Sequence, residues 1–82
     1  MLARLESLVE GDIDQMLADV LLQLSQNNKV TITHQLLADR IGTAREVVSR
    51  HLKRYETEGW VELSRGSISL LDIAALKRHA SK

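Results

Sequence analysis

Cysteine, proline and phenylalanine are all missing from this chain of 82 residues, and one tyrosine and one tryptophan are its only aromatics. Without cysteine there is no disulfide scaffold, thiol redox site, zinc–thiolate site or cysteine-held iron–sulfur cluster. Tyr55 and Trp60 are too few to build a stacking platform for single-stranded nucleic acid. No run of about 18 apolar residues is present, so no membrane-spanning helix is expected. The N-terminus lacks the basic-then-apolar pattern of a secretory signal, and the chain reads as cytoplasmic. His34, His51 and His79 do not stand at metal-ligand spacing, and Asp12 and Asp14 lack the glycine and glutamate of a calcium loop. No glycine-rich loop cradles a nucleotide, and no serine has a nucleophile-elbow context, so nothing points to an enzyme.

What is present is a globular composition, 44% hydrophobic and 27% charged, in a length that suits one small domain. The formal charge is zero, but it is unevenly spread. Residues 1–28 carry a net −4 and residues 29–82 a net +4. Arg40, Arg45, Arg50, Lys53 and Arg54 cluster against a single acid, Glu46. A local positive field can therefore coexist with a neutral chain, although a solvated helix face gives the same pattern.

Apolar periodicity sets the element order. Leu2, Leu5, Leu8 and Val9 form a helical stripe with Gly11 as a stop. Asp12 or Asp14 is a cap for the next helix, with Asp12 and Gln15 spaced as a capping box. Ile13, Met16, Leu17, Val20, Leu21 and Leu24 give that helix its apolar face, and Gln26-Asn27-Asn28 ends it. Residues 29–32 suit a short strand. Thr33 caps a two-turn helix bearing Leu36, Leu37, Ala38 and Ile41, and Gly42 closes it. Thr43-Ala44-Arg45-Glu46 has the form of a capping box for a helix over 44–58 carrying Val47 or Val48, His51, Leu52 and Tyr55 inward. Beyond Gly59 the period falls to two, with Arg65-Gly66 as the turn of a hairpin. Asp72 caps a last helix with Ile73 and Leu76 inward. The expected fold is mainly α with a small β-hairpin, a winged helix-turn-helix: three-helix core, wing hairpin, C-terminal helix.

In such a fold the second helix of the motif meets the major groove through its N-terminal residues. Arg45, Glu46, Ser49 and Arg50 lie opposite Val48, Leu52 and Tyr55 and are candidate base readers. Arginine forks onto guanine, glutamate accepts from cytosine N4, and serine adapts to either kind of edge. Glu46 alternatively closes the capping box and pairs with Arg50. Candidate phosphate contacts are Thr33, His34, Gln35 and Ala44 at the two helix starts, Lys53 further along, and Arg65, Gly66 and Ser67 at the wing tip. Each of these is equally accounted for as a cap or a solvated turn, and Arg54 suits a surface ion pair.

The run ITHQLLADRIGTAREVVSRHL over residues 32–52, with its spaced R-E-x-x-S-R, strongly resembles the C-terminal winged-helix domain of Crp/Fnr-type bacterial transcription regulators. The likeness continues through Glu58-Gly59, the hairpin and the last helix. It implies that the chain reads one half of a palindrome in double-stranded DNA and forms a homodimer in the full-length protein, with RNA polymerase as a further partner. It also implies base contacts by Glu46, Arg50, Arg45 and Ser49, and a half-site core such as TGA. Val47 departs from the usual serine or threonine, and Arg40 from the usual apolar residue. The family's sensor domain is not in this sequence, so no cofactor is expected here. Residues 1–11 resemble the tail of the family's dimerising helix, residues 12–82 its DNA-binding domain, and the whole a part of a longer protein. Two rivals remain: a winged helix used for protein contacts through Leu2, Leu5 and Leu8, and a DNA binder that reads only phosphates or shape.

Overall fold

A computed structural model describes residues 10–80. Seven elements follow in order: α1 (Glu10–Leu24), β1 (Lys29–Val30), α2 (His34–Ile41), α3 (Arg45–Thr57), β2 (Val61–Ser64), β3 (Ser67–Leu70) and α4 (Ile73–Ala80). The first nine residues, read above as part of a helical tail, lie outside the described residues.

The first helix corrects two expectations. Gly11 is not a stop and Asp12 and Asp14 are not caps, because all three lie inside α1. A glycine inside a helix costs about 1 kcal/mol relative to alanine, which tertiary packing readily offsets. That packing comes from Ile13, Leu17, Ala18 and Leu21, which α1 buries at spacings of three and four. Met16, expected on the same face, is exposed.

The α1–β1 connection is a tight hairpin. Asn27 and Asn28 both take positive φ, 57° and 61°, and Gln26 and Lys29 exchange both backbone hydrogen bonds, at 2.8 and 3.1 Å. Two left-handed residues in a two-residue loop define a type I′ turn, which asparagine tolerates better than most residues. The strand that follows is two residues, shorter than expected, and becomes the edge of an antiparallel sheet in the order β1-β3-β2. Lys29 faces Ser69 and Val30 faces Ile68; on the other side Val61 faces Leu70 and Ser64 faces Ser67. The wing is thereby a three-stranded sheet, and Arg65-Gly66 is its turn, with Gly66 at φ 74°.

Thr33 caps α2 as expected, its Oγ1 accepting from Leu36 N at 3.1 Å. Gly42 ends α2 at φ 93°, donating to Ala38 O at 2.7 Å. Leu36, expected inward, is exposed, while Leu37, Ala38 and Ile41 are buried. The capping box at Thr43 does not form. Ala44 is the N-cap of α3 and offers no side-chain acceptor, so Glu46 sits one position early for the reciprocal bond. At the other end Asp72 caps α4, Oδ1 accepting from Ala75 N at 3.0 Å. One core joins all the helices and the sheet, with Tyr55, Leu17, Leu21, Leu37, Leu52 and Leu76 fully buried at its centre.

Candidate nucleic-acid interface

The face of α3 that carries chemistry is defined by what α3 buries. Val48, His51, Leu52 and Tyr55 go inward, and their spacing turns Arg45, Glu46, Arg50 and Lys53 to solvent. Ser49 is half-buried at the edge of that face. The three-residue connection Gly42-Thr43-Ala44 holds α2 against α3, so the start of α2 lies along the flank of the exposed stripe.

The expected phosphate candidates are distributed as follows. The Thr33 oxygen is occupied as an acceptor by its own helix. Gln35 donates to Asp39 Oδ1 at 3.0 Å, one turn along α2. Lys53 is exposed and lies 3.9 Å from Glu56, a loose pair. Arg65 and Gly66 are exposed at the wing turn, and Ser67 is half-buried at the start of β3. Ala44 has no side-chain cap, so no side-chain acceptor claims the first N–H groups of α3.

Two of the expected residues meet. His34 Nδ1 lies 2.8 Å from Ser49 Oγ, linking a phosphate candidate on α2 to a base candidate on α3. Burial, and then the charge of Arg45, push the His34 ring below its ordinary value of 6.5.

A second constellation escaped the sequence reading. Asp14 is mostly covered, with 13% of its side chain exposed, and is surrounded by groups from two other helices. Tyr55 OH donates to Asp14 Oδ1 at 2.6 Å, and Arg54 forms an ion pair with Oδ2. His51 Nδ1 stands 3.3 Å from Oδ1, and His79 Nε2 of α4 stands 2.8 Å from Oδ2. Burial works against the charge of Asp14, but the hydrogen bonds from Tyr55 and Arg54, with the His79 ring close beside them, outweigh it and hold the carboxyl below its ordinary value. Burial, followed by the bond to Asp14, drives the Tyr55 phenol far above its usual range. The expected ion pair of Arg54 thus exists, between a half-exposed guanidinium and a mostly covered carboxylate. The signal in the sequence was spacing: Asp14 precedes Leu17, Ala18 and Leu21 by three, four and seven, in register with the buried stripe.

A helix-turn-helix followed at once by a hairpin, with a basic and polar stripe on its second helix, defines a winged helix-turn-helix. The sequence pattern of the Crp-like helix-turn-helix domain matches residues 15–79. Among similar proteins is the transcriptional regulator SdrP of Thermus thermophilus, 33% identical over an 86-residue alignment covering 94% of this chain and 43% of the relative. The solved structure of a Crp/Fnr-family transcriptional regulator from Eubacterium rectale superposes with a TM-score of 0.83 at 33% identity, covering 95% of this chain and 38% of the other. The catabolite activator protein of Thermus thermophilus gives 0.82 at 32% identity, with 94% and 38% covered. The chain belongs to the Crp-like helix-turn-helix family, the DNA-binding module of Crp/Fnr-type transcription regulators. It spans less than half the length of these relatives. No helix among the described residues is long and apolar enough to cross a membrane. Among the same residues no cluster of three or more ligand-type side chains is placed to hold a metal ion.

Proposed function

We propose that the domain reads one half-site of a palindrome in double-stranded DNA, with α3 in the major groove. The observation that carries this reading is the exposed stripe of Arg45, Glu46 and Arg50 opposite the buried Val48, Leu52 and Tyr55. Arg45 and Arg50 supply guanine-directed forks, and Glu46 accepts from a cytosine amine. The acid repels the phosphate backbone, so it suits a base edge better than the strand itself. Thr33, His34 and Gln35 at the start of α2, the N–H groups beyond Ala44, Lys53, and Arg65, Gly66 and Ser67 of the wing supply the phosphate clamp.

By the same reading the full-length protein is a cytoplasmic homodimer. RNA polymerase is a further partner, and any effector is sensed by chain outside these 82 residues. No residue has a catalytic role. The test is a titration at low salt of a palindrome with TGA-type half-sites about one helical turn apart, against a scrambled duplex. A preference that disappears in Glu46→Ala or Arg50→Ala supports the reading. Equal binding of both duplexes by the parent chain and by both variants would refute sequence reading through α3.

A further inference from the structure

Ser49 departs from what a serine inside a helix ordinarily does. Such a hydroxyl tends to donate back to the carbonyl four residues earlier. Thr57 on the same helix does so, donating to Lys53 O at 3.1 Å. Ser49 Oγ instead lies 2.8 Å from His34 Nδ1. A hydroxyl has one proton and two lone pairs, so the group that takes the proton decides what the oxygen can still offer. A neutral imidazole has one nitrogen that donates and one that accepts, and the bond made by one fixes the role of the other. The ionised side chain acting on this ring is Arg45 of α3; with burial it favours the neutral ring. A phosphate oxygen only accepts. A ring that also holds a phosphate through Nε2–H therefore has Nδ1 free to take the Ser49 proton.

We propose that His34 is a positioning residue for base selection: its Nδ1 accepts the Ser49 hydroxyl proton, so Ser49 meets the base edge as an acceptor and selects an exocyclic amine, adenine N6 or cytosine N4. Guanine and thymine, which offer acceptors at that height of the major groove, are disfavoured at the same position. The inference rests on the groove-reading role of α3 given above. It adds that the polarity of one contact is set from another helix, across fifteen residues of sequence.

The experiment uses the 82-residue chain and a duplex series carrying every single base-pair replacement in a TGA-type half-site palindrome. Affinities are compared at about pH 8 and in steps down to about pH 5, because the His34 ring lies below the ordinary histidine value. At one position the amine-bearing base is expected to be preferred by about tenfold at the higher pH, the worth of one hydrogen bond. Towards the lower pH that preference narrows, because a protonated ring donates through Nδ1 and frees the hydroxyl proton for the base. Ser49→Ala abolishes the preference. His34→Asn, whose carbonyl accepts in place of Nδ1 and does not titrate, keeps it at every pH. A preference that Ser49→Ala removes, but that is identical at every pH and in His34→Leu, overturns the role of His34 and leaves base reading by Ser49 intact. A wild-type chain blind to every replacement, or Ser49→Ala with all preferences retained, overturns base reading by Ser49 and the inference with it. The readout is a ratio between duplexes for one protein at one pH, so a variant that is merely less stable does not imitate it.

Discussion

The phenol of Tyr55 donates to the carboxylate of Asp14 at 2.6 Å, across forty-one residues of sequence, and ties the last turns of α3 to the first described turns of α1. The same hydroxyl lies 2.8 Å from the Asp14 carbonyl. With Arg54 and His79 also turned to Asp14, one carboxylate holds three helices together.

Removing that carboxylate takes the counter-charge from Arg54 and from the covered His79 ring, and leaves the Tyr55 hydroxyl only the Asp14 carbonyl. Asp14→Ala is expected to destabilise the domain by about 2–4 kcal/mol, and Tyr55→Phe, which deletes one donor, by about 1 kcal/mol. Urea unfolding followed by circular dichroism measures both. A loss below about 0.5 kcal/mol in Asp14→Ala would mean that the constellation is ornamental.

The same carboxylate gives stability a pH dependence of definite sign. Asp14 has a folded value below its ordinary 3.8, so the unfolded chain takes up the proton first. Its contribution is complete above 3.8 and is lost as pH falls through the folded value. Unfolding free energy measured between about pH 5 and pH 2 should fall less steeply in Asp14→Asn than in the parent. Parallel curves would contradict the assignment.

Base and phosphate contacts should separate in their response to sequence and salt. Arg50→Ala is expected to cost about 1–3 kcal/mol on the preferred duplex and little on a scrambled one. Arg65→Ala should weaken both duplexes alike and reduce the slope of log affinity against log salt by about 1. Affinity titrations at four salt concentrations distinguish them, and interchangeable behaviour would count against the division of roles.

Gly42 tests the turn. Its φ of 93° is unfavourable for any residue with a Cβ, yet no atom lies within 4 Å of where a Cβ would stand. Gly42→Ala should therefore cost about 1–2 kcal/mol from backbone strain alone, seen as a lowered melting temperature. An unchanged melting temperature would show that the turn relaxes freely.

The order and type of the elements could be read from the sequence because apolar periodicity changes from 3.6 to 2 at Gly59, and because Thr33, Gly42 and Asp72 act locally as caps and stops. The helix starts at Asp12 and Thr43 misled for a local reason. Each has good capping chemistry, but α1 continues through Asp12 under the pull of the core, and Ala44 takes the cap position after Thr43. The candidate stripe on α3 was legible for the same reason as the helix, since burial of Val48, Leu52 and Tyr55 dictates what is left outside. The His34–Ser49 and Asp14–Tyr55 bonds were not, because they depend on how α2 and α1 lie against α3.

Trp60 is the chain's single tryptophan, and its ring centroid lies 5.2 Å from those of both Tyr55 and His79, with Leu71 and Asp72 donating to its carbonyl. It sits where α3 gives way to the wing and α4 folds back. Its fluorescence therefore comes from one place only, with no second indole to dilute it. Any event that shifts α3 against the wing changes the ring's neighbours, and so the colour and intensity of its light, which gives the protein an intrinsic optical gauge that needs no label.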